Sequence, residues 1–234
     1  MAVAYRDSKW LVCKGSQTVS FGKTSDALEA SWSTAFEIKY SRPDRLLYWY
    51  GMKEDEGTGI DINQIALANS SGIYARNRET GRKETAKTIV DAVTPPSYGE
   101  GPMFILELLF ADGWTNSRFS FPSLQHAPRA AVAKREEYKG VPCYVLSIDT
   151  PGINLWYGGT ATVWVSTDRF MLQRVLVDGT VGPGNSKTRR ESVFKYDFKA
   201  EPKEEDFKWP DGLVDDSRRD GVEPSRSDHN LTTS

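Results

Sequence analysis

Few residues in this chain could carry acid–base, nucleophilic or metal chemistry. There are two histidines, His126 in a proline-flanked loop and His229 near the C-terminus. No H-x-E, H-E-x-x-H or C-x-x-C spacing occurs, so no metal site is expected. Glu136 and Glu137 are adjacent, as are Glu204, Glu205 and Asp206. Neighbours on a strand point to opposite faces, so these carboxylates read as solvated charge rather than as a glycosidase pair. Asp149 or Asp168 with His126 would be a hydrolase arrangement without a supporting motif. There is no G-x-S-x-G elbow, and the Gly57-Thr58-Gly59 piece is a turn with no phosphate-loop spacing. The chain is therefore expected to be non-enzymatic, with no cofactor.

Cys13 and Cys143 both lie in strand-like runs far apart in sequence. Two buried free thiols fit them, because unpaired cysteine behaves as a small hydrophobe. A disulfide would fit an oxidising compartment.

The segment most able to bind something is apolar. Pro102 to Phe110 reads PMFILELLF, with Glu107 its only charge. Pro102 suits the first helical position and Gly113 the stop. A helix that is apolar all round must be covered on every side. This one is far too short to cross a bilayer, which takes about 20 residues. It is either a plug between sheet and loops or one wall of an apolar cavity.

The elements around it are strands. The 7 Trp, 10 Tyr and 10 Phe favour a pleated, half-buried surface. Trp32, Thr34, Phe36, Ile38 and Tyr40 alternate with polar or small residues, a period of two. Ser41-Arg42-Pro43-Asp44 is turn chemistry. Arg45 to Met52 is apolar on both faces, as in a central strand covered on both sides. Ile60 to Ala68 and Ile73 to Asn77 flank a turn at Asn69 to Gly72. Lys83 to Val93 suits a short helix ended by Pro95 and Pro96. Ala130 to Tyr138, Val141 to Asp149, Thr160 to Ser166, Phe170 to Asp178 and Arg189 to Phe198 complete a meander. The fold class is mainly β with a few helices. About nine to eleven strands form a strongly curved antiparallel sheet, or incomplete barrel, with the mid-chain helices as a lid or plug.

Net charge is −2, which gives no field for nucleic acid. No apolar run is long enough for a transmembrane helix. No signal-peptide pattern opens the chain; a cytoplasmic protein and a mature exported domain both fit. Residues 211–234 read as a disordered polar tail, with Val222 and Leu231 the only aliphatics after residue 214.

The order of these elements resembles the LolA/LolB-like lipoprotein-carrier superfamily over residues 5–210. Tyr40-Ser41-Arg42-Pro43-Asp44-Arg45-Leu46-Leu47-Tyr48 resembles its strand, Arg-Pro turn and aromatic strand. Tyr138 to Leu146 resembles the opening of its second meander. Val163-Trp164-Val165-Ser166-Thr167-Asp168 resembles its Trp-Ile-Asp-x-x-Thr hairpin, with Ser166 in place of the usual Asp, and Phe207 resembles its terminal Phe. The resemblance implies an incomplete barrel half closed by a helical lid over an apolar cavity. It also implies a place in the periplasm or cell envelope, as a mature domain without its signal peptide. The long N-terminal lid helix is nearly absent here, so a smaller lid is expected.

Two functions follow. One is non-enzymatic binding of an acyl chain of a lipid or lipoprotein, as carrier or chaperone. Each buried methylene gains about 0.8 kcal/mol, so about twelve would gain roughly 10 kcal/mol before ordering costs. Alternation places Trp32, Phe36, Ile38, Leu46, Tyr48, Tyr50, Val163, Val165, Leu172 and Leu176 inward. Met103, Leu106, Leu109 and Phe110 would close the cavity. Arg42 would pin the turn at the cavity mouth or meet a lipid head group. The other function is an RseB-like sensor or interaction domain that takes an envelope protein partner on a sheet edge or surface. A monomer is expected in either case.

Overall fold

A computed structural model describes residues 2–24, 27–53, 60–77, 81–93, 105–106, 108–110, 130–150, 158–181 and 186–209. A short helix α1 (Ala2–Arg6) leads into strands β1 (Trp10–Thr24), β2 (Ala27–Ser41), β3 (Arg45–Lys53), β4 (Ile60–Asn69), β5 (Gly72–Arg76) and β6 (Lys83–Thr85). Helix α2 (Ile89–Ala92) follows. Strands β7 (Ala130–Tyr138), β8 (Val141–Thr150), β9 (Gly158–Ser166), β10 (Leu172–Val181) and β11 (Ser186–Asp197) form the second half.

All eleven strands join one antiparallel sheet in the order β6-β5-β4-β3-β2-β1-β11-β10-β9-β8-β7. Each half is a meander of neighbouring strands, and the halves meet where β1 pairs with β11. The sheet is not closed, and β6 and β7 are its edges. β7 is a long edge, but Lys134, Arg135, Glu136 and Glu137 charge it and a bulge between Val132 and Lys134 twists it. Both features discourage pairing with a stray strand.

Antiparallel register sorts the side chains onto two faces. The face called inner here carries Leu11 and Cys13 of β1, Phe36, Ile38 and Tyr40 of β2, and Leu46, Tyr48 and Tyr50 of β3. Ala66 and Ala68 of β4 continue it, and across the halves so do Phe194, Val175, Val177, Val163 and Val165. These residues form the main core. The outer face carries two smaller clusters. Leu47, Ile65 and Leu67 receive Phe207 from the chain after β11. Cys143, Val145 and Trp164 receive Tyr138, Val141 and Leu176. β3 is thus apolar on both faces because both are covered.

The expected helix over Lys83 to Val93 is shorter than its periodicity suggests. Lys83–Thr85 pairs with β5 as strand β6, and the helix begins only after Thr88. The reason is local. Thr88 Oγ1 accepts from Asp91 N–H while the Asp91 carboxylate accepts from Thr88 N–H, a capping box that fixes the start. In the expected apolar helix, Ile105, Leu106, Leu108 and Leu109 are helical, and Phe110 N–H donates to Leu106 O at 2.9 Å. Pro102, Met103 and Glu107 lie outside the described residues, as do His126, His229 and the tail 211–234.

Candidate functional site

The inner face is the candidate site. Period-two alternation brings its apolar residues together across neighbouring strands: Gly15 stands opposite Phe36, Cys13 opposite Ile38, Ile38 opposite Tyr48, and Tyr40 opposite Leu46. Helical residues Ile105, Leu106, Leu108 and Leu109 are buried in the same cluster. The Phe110 ring meets Tyr40 edge-on at 5.4 Å. Ala92, Val93, Ile89 and Val90 of the α2 region pack against the cluster too. Helical residues and sheet residues thus share one buried cluster here.

Helix α1 lies at one end of the face. The Tyr5 and Tyr196 hydroxyls are 2.5 Å apart, and Leu172 N–H donates to Tyr5 Oη at 2.9 Å. Burial pushes both phenols well above their ordinary range, and the neighbouring Cys13 thiol is pushed up for the same reason. All three are neutral hydrogen-bonding groups here. Arg42 is exposed at this end. Its guanidinium donates to the carbonyl oxygens of Arg6 and, at 3.1 Å, Ser8, so it ties the β2–β3 turn to the end of α1.

The opposite end of the same face is polar. Gln17, Thr34, Gln64, Thr188, Arg190 and Ser192 are all buried. Gln17 Nε2 donates to Ser192 Oγ at 3.2 Å, Thr34 Oγ1 to Gln17 O at 3.4 Å, and Tyr48 Oη to Gln64 Oε1 at 3.3 Å. Thr188 Oγ1 is buried and has no hydrogen-bond partner among the described residues. A buried unsatisfied hydroxyl costs about 1–3 kcal/mol, so the position calls for a reason. The sequence reading missed this belt, although the alternation Thr188, Arg190, Ser192, Phe194, Tyr196 along one strand carried the signal.

The expected cavity residues divide as follows. Phe36, Ile38, Leu46, Tyr48, Tyr50, Leu106, Leu109, Val163, Val165 and Leu172 are buried in the inner cluster, and Phe110 packs against it half-buried. Trp32 is in register with this face but lies at its rim, 43% exposed, with its ring against Phe21 at 4.8 Å. Met103 lies outside the described residues. Leu176 is on the outer face, not the inner one. The cause is a bulge: Leu172 pairs with Val165 and Arg174 with Trp164, so Gln173 is an extra residue. One inserted residue reverses which side chains face inward. Val175 and Val177 take the inner positions instead.

The remaining chemical candidates separate. Cys13 lies on the inner face and Cys143 on the outer one, and both are free. Glu136 is held below the ordinary carboxylate range by its hydrogen bonds to Lys134 and to the Trp164 indole. Among the described residues no three His, Cys, Asp or Glu side chains converge on a point that could hold a metal ion.

On the outer face, a groove of about 750 Å³ runs beside β1 and β11. Lys14, Lys139, Arg169 and Lys195 line it with Tyr138 and Phe198, against a single acidic residue, Asp168.

No protein-family model and no curated protein matches the chain. Among solved structures it is similar to the lipoprotein LppX of Mycobacterium tuberculosis, at 11% identity and a TM-score of 0.42, over 85% of this chain and 91% of that one. It is also similar to LprF from Mycobacterium bovis, at 12% identity and 0.40, over 87% and 92%. A third is a domain assigned to outer membrane lipoprotein sorting from Vibrio parahaemolyticus, at 10% identity and 0.33, over 88% and 92%. At such identities and overlaps, function has to be derived from the chain's own geometry.

Proposed function

We propose that this chain binds the acyl chain of a lipid or lipoprotein against the inner face of its sheet, as a carrier or chaperone of the bacterial envelope. The observation that supports this is the make-up of the inner cluster. Its aromatic and aliphatic sheet residues are buried together with Ile105, Leu106, Leu108 and Leu109, a short helical stretch. A helical stretch of this size can be displaced by a ligand of similar apolar area at little net cost, because one burial replaces the other. Residues 5–210 are read as the binding domain and 211–234 as a polar tail. No polar group is needed for acyl affinity, so the reading requires no catalytic residue.

A fluorescent fatty acid titrated into the purified protein tests the reading. Saturation at one equivalent, with displacement by an unlabelled fatty acid, supports it. No fluorescence change at any concentration below micelle formation makes the helical stretch a permanent plug.

The outer groove favours a second reading, a sensor or interaction domain. Four cations against one anion around an aromatic-lined recess suit an acidic segment of a protein partner. Recovery of a partner protein from envelope extract by the wild-type chain, lost when Lys14 and Lys195 are both changed to Glu, would favour it over lipid binding.

A further inference from the structure

The inner face changes character along a single strand. Inward-facing residues of β11 run Thr188, Arg190, Ser192, then Phe194 and Tyr196. Strands rise about 3.4 Å per residue, so Arg190 and Tyr196 stand roughly 20 Å apart. The polar end continues sideways: Gln17 of β1 faces Ser192, and Thr34 of β2 faces Gln17. Arg190 is 7% exposed, and among the described residues it is the one charged side chain buried on this face. Its cross-strand neighbours, Val19 and Val177, are apolar. A cation in such surroundings interacts more strongly with an anion than it would in water.

We infer that this polar end is a head-group site, and that the ligand is an amphiphile whose anionic head, a carboxylate or a phosphate, is held by Arg190 with Thr188 and Ser192. The inference rests on the acyl-binding reading and adds the chemistry of the head. Three observations support it. Thr188 is 4% exposed and its Oγ1 lacks a partner among the described residues, so it can donate to an incoming oxygen without breaking a bond. Gly179 stands opposite Thr188 on β10 and contributes no side chain, which leaves room beside the hydroxyl. Gln17 Nε2 already donates to Ser192 Oγ, which leaves the Ser192 hydroxyl proton available to the ligand. Arg190, Gln17 and Gln64 also have interactions within the fold, so the belt is held in shape before a ligand arrives. Arg42, by contrast, spends its guanidinium on main-chain carbonyls at the other end.

The test compares three probes of one chain length, dodecanoate, dodecyl phosphate and dodecanol, by isothermal titration at pH 7.5 with the full chain. The expected result is that at least one anionic probe binds about tenfold or more tightly than the alcohol, as charge-assisted hydrogen bonds would give. Arg190→Gln should remove that preference, so that the anionic probes bind this variant no more tightly than dodecanol does. Thr188→Val keeps the charge and the fold, and should lower anion affinity about threefold, the loss of one hydrogen bond. Stronger binding of the phosphate points to a phosphate-headed lipid, and stronger binding of the carboxylate to a free fatty acid. Equal binding of all three by the wild-type chain overturns the head-group site and leaves acyl binding standing. Binding of none of the three overturns the acyl reading itself.

Discussion

The ring of Phe36 occupies the space that a side chain on Gly15 would need. A β-carbon on Gly15 would stand 2.2 Å from Phe36 Cζ and 2.3 Å from the Val193 carbonyl oxygen. The two residues are cross-strand partners, and Phe36 goes on to meet the Phe194 ring at 5.8 Å. Glycine in a strand interior is weak on its own, and an aromatic laid across it restores the burial. Gly15→Ala should therefore destabilise the fold by about 1–3 kcal/mol through overpacking, read as a lower urea midpoint with an unchanged slope. An unchanged midpoint would show that Phe36 is free to move aside.

Tyr5 connects helix α1 to both β10 and β11. Replacing it with Phe strands the Leu172 amide in a buried site and costs about 1–3 kcal/mol. Chemical denaturation of Tyr5→Phe checks this. The same variant should speed hydrogen exchange at the Leu172 amide ahead of the rest of β10.

Phe207 is fully buried against Leu47, Ile65 and Leu67, its carbonyl accepts from Asn69 Nδ2 at 2.9 Å, and Arg45 lies over its ring at 5.4 Å. Phe207→Ala should cost about 3–5 kcal/mol, the usual range for a core aromatic. The denaturation midpoint tests this, and a loss below about 1 kcal/mol would show that the segment after β11 is only loosely docked.

Acid should loosen the same segment. Asp206 is held below the ordinary carboxylate range by the Lys203 backbone N–H and by Lys39, whose Nζ is 3.1 Å away. A depressed folded-state pKa stabilises the fold above the unfolded value of about 3.9, and that contribution fades as pH falls through the lower folded value. Asp206→Asn should flatten the acid limb of a stability–pH curve. A curve identical to wild type below pH 4 would contradict the assignment; the pair is partly exposed, so solvent screening should keep the effect modest.

Leu106 separates wall from plug. It is fully buried in the inner cluster. If the helical stretch is a displaceable wall, Leu106→Asp abolishes uptake of a fluorescent fatty acid while the far-ultraviolet β signature persists. Global unfolding of the variant would favour a plug.

Much of the sheet was legible because alternation is local. Trp32 to Tyr40 announces β2, and the two-sided apolar run Arg45 to Met52 announces a strand covered on both faces, as Phe207 and the inner core both confirm. What the sequence hid depends on single residues or distant partners. The extra Gln173 moved Leu176 to the outer face, and nothing in its neighbours announces a bulge. The Thr88–Asp91 capping box cut the second helix short, against an apolar period that runs further back. The polar belt was overlooked because Arg190 and Thr188 look like the wet side of a strand until the register is known that sets Arg190 against Val19 and Val177, and Thr188 against Phe21 and Gly179.

Mass spectrometry of an organic extract of the freshly purified protein tests the central claim most directly. Acyl binding predicts a fatty acid or phospholipid at close to one equivalent, depleted from the Leu106→Asp variant. An extract with no lipid, together with no uptake of an added fluorescent fatty acid, would contradict it and leave the basic outer groove as the working surface.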